Sequence, residues 1–140
     1  MYCIDASVIA NSIIKEEEHH EYSVKLLLKI KNENIPVVVP EILIPEVASA
    51  LSRGTQNSRL SLEFVMGLRK IPNFIFVPID AEISDLAARF SAEGQLRASD
   101  AIYVSVASIF NVKLITLDVK QKEKANEFIK ALTPLEELGE

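Results

Sequence analysis

The sequence predicts an α/β fold, a three-layer α/β/α arrangement in which helices cover a central, mostly parallel sheet of four or five strands. Three observations predict it. Short apolar runs of strand length alternate with longer stretches of helical spacing, as successive β-α-β units do. Turn-forming residues punctuate the junctions, among them Asn32 to Asn34, Gly54 to Ser58, Pro78 and Gly94. Finally, the 140 residues are 49% hydrophobic and carry no glycine, proline or serine tract, which suits one domain, 1–140, around one continuous core.

Met1 to Ile4 is a short apolar run ending in Asp5, and Val8 to Ile14 resumes the pattern: a buried strand turning into a helix. Tyr22 to Ile30 has helical spacing through Val24, Leu27, Leu28 and Ile30, and Pro36 to Val39 follows as a strand. Glu41 to Arg53 reads as a helix that is regular from about Pro45, because proline is tolerated only in a first turn. After the polar turn Gly54 to Ser58 comes a helix over Arg59 to Lys70, then a third strand, Phe74 to Val77, stopped by Pro78.

Asp80 to Glu93 places Ile83, Leu86, Ala87 and Phe90 on one face, with Gly94 as the stop. Ser99 to Phe110 is an apolar helix rich in small residues, suited to lie on the sheet. Lys113 to Leu117 is the fourth strand and ends in Asp118. Val119 to Ile129 reads as a helix, and Lys130 to Pro134 as an edge strand.

Composition excludes several functions. The apolar runs fall far short of the ~20 residues that cross a bilayer, and Asp5 arrives too early for a secretory signal, so a protein free of the membrane is expected. With Cys3 as the single cysteine no internal disulfide forms, which suits the cytoplasm. The net charge of −5 argues against nucleic acid only if the acids are scattered. Two divalent cations bound to an acidic cluster would cancel most of it.

Four acids stand in otherwise apolar or small-residue contexts: Ile4-Asp5-Ala6, Pro45-Glu46-Val47, Ser99-Asp100-Ala101 and Leu117-Asp118. Singly, each has an ordinary explanation, since Asp5, Asp100 and Asp118 sit where a carboxylate caps a helix and Glu46 where it favours a first turn. Jointly they suggest a site. In a parallel sheet, ligands bind beyond the carboxyl ends of strands where the strand order reverses, so Asp5 and Asp118 converge if strands one and four are neighbours. Carboxylates crowded in a cleft repel unless cations compensate, and oxygen-only donors select hard ions, Mg²⁺ or Mn²⁺. Such a site hydrolyses phosphodiesters without a protein nucleophile. No Ser/His/Asp set competes, Cys3 lies in a buried strand, and a phosphoaspartate-type site would want a second carboxylate where Ser7 stands.

In these segments, in their order and spacing, the chain resembles the PIN-domain superfamily, and within it the VapC-type toxin ribonucleases. The resemblance covers Ile4-Asp5-Ala6-Ser7-Val8, Pro45-Glu46-Val47, Ser99-Asp100-Ala101 and Leu114-Ile115-Thr116-Leu117-Asp118. It implies an endoribonuclease whose metal ligands are Asp5, Glu46, Asp100 and Asp118, with Ser7 and Thr116 as supporting hydroxyls. A homodimer, an RNA substrate and an antitoxin whose C-terminal segment blocks the cleft are also implied. After Asp118, Val119-Lys120-Gln121 offers no further carboxylate, so one ion is expected and a second stays open. A housekeeping RNA-processing nuclease and a non-catalytic module of the same fold are the alternatives.

Arg97, Arg53 and Arg59 are the candidates for contact with the RNA backbone, Arg97 being closest in sequence to an acid. Tyr103 suits base stacking or core packing. The run Glu16 to Glu21, with His19 and His20, lacks a metal-ligand spacing and reads as a solvated turn. Leu60, Leu62, Phe64 and Val65 can face either the core or a partner chain.

Overall fold

The computed structural model describes all 140 residues. Its strands are β1 (Tyr2–Ile4), β2 (Val37–Pro40), β3 (Phe74–Val77), β4 (Lys113–Ile115) and β5 (Ala131–Leu132). The helices are α1 (Ala6–Asn11), α2 (His20–Asn32), α3 (Leu43–Thr55), α4 (Ser58–Leu68), α5 (Ala81–Gly94), α6 (Ala98–Phe110), α7 (Val119–Ala125) and α8 (Pro134–Leu138). All pairings are parallel and the order is β3-β2-β1-β4-β5. The predicted α/β class and parallel sheet are therefore observed.

The chain moves outward from β1 to β2 and β3, then returns to the other side of β1 for β4 and β5. With right-handed crossovers, that reversal puts successive helices on opposite faces. Accordingly α1 packs with α2 and α3, and α3 with α4, while α6 packs with α5 and α7 and lies across β2, β1 and β4. The central strands β1 and β2 are buried at every residue, as strands covered on both faces must be, whereas edge strand β3 leaves Ile75 exposed. Tyr2, Cys3 and Ile4 register with Lys113, Leu114 and Ile115. The next residues in each strand, Asp5 and Thr116, are thereby brought side by side at the switch point.

One local expectation is sharpened and four change. Helix α5 does end at Gly94, its last helical residue, but the left-handed cap conformation falls to Gln95, φ 55°. Gly94 serves close packing instead, since a Cβ there would meet the Phe128 ring at 2.5 Å. Strand β4 ends at Ile115 rather than Leu117: the Thr116 N–H still donates to the Leu132 carbonyl, but the two that follow leave the sheet, Leu117 donating to Ser7 Oγ and Asp118 to Thr116 Oγ1. Helix α7 ends at Ala125 rather than Ile129, where Asn126 caps it and exchanges hydrogen bonds with the backbone of Ala131, turning the chain into β5. The edge strand expected over Lys130 to Pro134 shortens to Ala131–Leu132, since Pro134 begins α8. That helix was unforeseen, although Thr133-Pro134-Leu135-Glu136 carries the capping-box signature that starts it.

Pro45 sits third in α3, which starts at Leu43, so its missing N–H costs no helical hydrogen bond. On α4, Val65 is buried, Phe64 is half-buried, and Leu60, Leu62 and Met66 are exposed. Of the Glu16 to Glu21 run expected as a solvated turn, Glu16 to His19 lie in the link between α1 and α2, while His20 and Glu21 open α2; Asn11 Nδ2 ties the link down by donating to Glu17 and to the Glu18 carbonyl. No helix is long and apolar enough to cross a membrane.

Candidate active site

Asp5 follows directly on β1 at the N-cap position of α1, yet its side chain makes no cap hydrogen bond. Its Oδ2 accepts instead from Ser7 Oγ at 2.7 Å and from Thr116 Oγ1 at 2.9 Å. Both hydroxyls also accept a backbone N–H, from Leu117 at 3.2 Å and from Asp118 at 3.2 Å. Because those N–H groups fill an acceptor position on each oxygen, each hydroxyl proton is aimed at Asp5. Two loops are thereby stitched around one carboxylate. Burial pushes the Asp5 carboxyl above the usual aspartate range; the Ser7 and Thr116 hydrogen bonds pull against it and the charge of Asp118 pushes with it.

Glu46 lies in the first turn of α3, and its Oε1 accepts from the Tyr103 hydroxyl at 2.7 Å. Burial raises its carboxyl, the Tyr103 hydrogen bond opposes, and the charges of Asp5 and Asp100 add to the rise. Asp100 occupies the first turn of α6; its carboxyl is also raised, by burial first, against the pull of Arg97 and with the push of Asp5 and Asp118. Asp118 alone behaves as a helix cap, its Oδ1 accepting from Gln121 N at 3.1 Å. The four predicted acids thus share one electrostatic neighbourhood.

Arg97 closes the group. Its Nε donates to Asp100 Oδ2 at 2.8 Å and its Nη2 to Asp118 Oδ2 at 3.0 Å. Gln121 adds a second donor to Asp100, its Nε2 reaching Oδ2. Under these side chains lies a cavity of ≈ 10 Å³, walled by Asp5, Asp100, Tyr103, Thr116 and Gln121 among others, roomy enough for about one water. The Oε1 of Gln121 is buried and unpartnered.

Two residues of this network escaped sequence reasoning in these roles. Tyr103 is 1% exposed, so it packs and positions Glu46 rather than stacking on a base. Gln121 follows three residues after Asp118, the interval of a capping box, and that spacing was the signal available. Among the basic candidates, Arg53 shares a shallow recess with Glu46 and Ser49, and bonds Ser49 Oγ. Arg59 pairs with Glu63 one turn along α4 and lines neither the acid cavity nor that recess.

Three or more metal-competent side chains do not stand together in ligating geometry here, and Arg97 holds an oxygen of both Asp100 and Asp118. The donor chemistry nevertheless fits a hard divalent cation: carboxylate oxygens, a hydroxyl-braced aspartate, and no thiolate or imidazole within the network.

Structural comparison gives the same architecture in proteins of distant sequence. FitAcB from Neisseria gonorrhoeae superposes with a TM-score of 0.73 at 17% identity, covering 96% of this chain and 98% of that one. VapC20 of Mycobacterium tuberculosis, described as a toxin that cleaves the sarcin-ricin loop, gives 0.75 at 14% identity, with 93% and 98% covered. DNA-bound VapBC from Salmonella typhimurium gives 0.70 at 13% identity, with 95% and 97% covered. No curated protein matches the chain in sequence. The model of the PIN domain matches residues 2–127, nearly the whole length, and the chain belongs to the PIN domain family.

Proposed function

We propose that this chain is a Mg²⁺- or Mn²⁺-dependent endoribonuclease and the toxin half of a VapBC-like toxin–antitoxin pair. The carrying observation is Asp5: a carboxylate that forgoes its helix cap, takes hydrogen bonds from Ser7 and Thr116, and interacts electrostatically with three further acids. An acid held that way in a buried setting costs stability, which marks it as a candidate for a functional role.

Asp5, Glu46, Asp100 and Asp118 would hold the ion, with Asp5 as the best-oriented ligand. A bound divalent ion supplies an acidified water and positive charge for phosphodiester hydrolysis. Ser7 and Thr116 keep the Asp5 oxygen in place, Tyr103 does so for Glu46, and Gln121 for Asp100. Arg53, half a helix from Glu46 on the same recess, is placed to meet a backbone phosphate. One ion suffices for this set.

Partners rest on different observations. The largest groove, about 760 Å³, runs between α1, α2, α4 and the start of β3; it is lined by Ile13, Leu27, Phe64 and Ile71, with Lys31 and Lys70 at its walls. An acidic, amphipathic antitoxin segment suits it, and structural neighbours such as VapBC are solved as complexes. The exposed Leu62 and Met66, one turn apart on α4, suit a homodimer contact.

Purified protein is expected to cleave RNA with Mg²⁺ or Mn²⁺ and to stop on chelation. Asp5→Asn and Asp100→Asn should each lower the rate at least a hundredfold while retaining the fold by circular dichroism, an effect on the order of 3 kcal/mol in the barrier. Undiminished cleavage by either variant removes that residue from the reaction. Growth arrest on expression, relieved by a co-expressed neighbouring gene product, separates a toxin from a housekeeping nuclease.

A further inference from the structure

We propose that Arg97 is an exchangeable counter-ion: it neutralises the acid site before a metal arrives, is displaced from Asp100 and Asp118 by the ion, and then binds the phosphate of the RNA backbone. This rests on the metal-dependent nuclease reading and adds a step to it.

Both oxygens of Asp118 are already engaged: Oδ1 accepts from Gln121 N, and Oδ2 accepts from Arg97 Nη2. Asp100 Oδ2 is taken by Arg97 Nε and by Gln121 Nε2. A divalent ion shared by these two acids takes the place between them that the Arg97 guanidinium bridges, and its charge repels that cation, so a donor must give way. The Gln121 N–H belongs to the helix start of α7 and cannot leave without fraying it. Gln121 is itself buried, 7% exposed. Arg97, in contrast, precedes α6 on extended backbone, and its side chain is 70% exposed. It is the one member of the network held by these ion pairs and by little packing.

Exchange is also energetically easy. An exposed ion pair shifts an equilibrium by about fivefold at most, so two such pairs delay metal binding without preventing it. The need for a cation is real, because burial already raises the carboxyls of Asp5, Glu46 and Asp100 while they face one another. Arg97 is the only cation hydrogen-bonded to any of the four acids. Once released it keeps its charge and remains tethered beside the site by the first turn of α6. A guanidinium is weakly hydrated and matches phosphate oxygens with paired donors, so the group that leaves the acids is suited to the arriving substrate.

The test uses Mn²⁺ binding by isothermal titration calorimetry, separately from turnover at saturating Mn²⁺, on the wild type, Arg97→Gln and Arg97→Lys. Arg97→Gln should bind Mn²⁺ about three- to tenfold more tightly, the strength of one or two exposed ion pairs. Its turnover at saturating Mn²⁺ should nevertheless fall at least tenfold, and Arg97→Lys should lie between on both scales. General damage to the fold weakens binding, so tighter binding has no structural imitation. Unchanged or weaker Mn²⁺ binding in Arg97→Gln overturns the exchange. Tighter binding with undiminished turnover overturns the phosphate role. If the wild type and Arg97→Gln both fail to bind Mn²⁺, the metal-dependent reading itself falls, and this proposal with it.

Discussion

Tyr103 shows how a side chain of the core determines the chemistry of a site it never exposes. Its ring is enclosed under α6, and its hydroxyl ends on Glu46, whose backbone belongs to α3. One hydrogen bond therefore ties an acid on α3 to the helix that carries Asp100. Tyr103→Phe keeps the ring and deletes only that bond. Metal ligands that lose an outer partner lose affinity by roughly ten- to a hundredfold, so the variant should bind Mn²⁺ about tenfold more weakly with its Tm nearly unchanged. Mn²⁺ calorimetry and a thermal melt check both halves; equal Mn²⁺ affinity would make Tyr103 a packing residue only. None of this was legible in the sequence, because the pairing of residues 46 and 103 exists only once α3 and α6 have docked. Asp5 was legible, since an acid at the end of an apolar strand is conspicuous whatever packs around it.

At the scale of elements, β1 and β4 assemble the site. Their register makes Asp5 and Thr116 neighbours from opposite ends of the chain, and the alternating pattern of strands and helices anticipated the parallel sheet that does so. What the pattern missed were the packing and hydrogen bonds made around the helix ends. Gly94 has the composition of a helix stop, but its purpose is the approach of Phe128, whose ring lies 4.6 Å from that of Phe90. Asn126 ends α7 early by binding β5, which lies five residues on and is invisible to helical periodicity. Gly94→Ala would drive a methyl into the Phe128 ring and should destabilise the protein by about 1–3 kcal/mol, the usual cost of overpacking. Gly67→Ala is the matched control on α4: no atom comes within 4 Å of the added carbon, and the helix gains up to about 1 kcal/mol. Urea melts should move the two midpoints in opposite directions; a loss of stability in both would refute the steric account of Gly94.

Over the whole molecule, the acids couple metal binding to stability. The carboxyls of Asp5, Glu46 and Asp100 are all raised in the folded chain, with burial as the largest cause. A raised folded value means that the native state holds its proton more tightly than the unfolded chain. The resulting stabilisation is complete below the ordinary carboxylate range, near pH 4, and is lost as pH climbs through the raised values. Glu41 and Glu136, lowered by hydrogen bonds from Arg69 and Lys122, work in the opposite sense. Their ion pairs lie at the surface, where solvent screening keeps them weak, so the buried acids govern the slope. The metal-free protein should therefore be less stable at pH 8 than at pH 5. A divalent ion binds only the deprotonated carboxylates, and at a hundredfold excess over its Kd it adds about 2.7 kcal/mol. Saturating Mn²⁺ should accordingly raise Tm more at pH 8 than at pH 5, and Asp5→Asn should abolish the difference while raising the metal-free Tm at pH 8. Thermal melts at the two pH values, with chelator and with Mn²⁺, measure this directly. An equal Mn²⁺ shift at both values would mean that the ion binds elsewhere than on Asp5, Glu46 and Asp100.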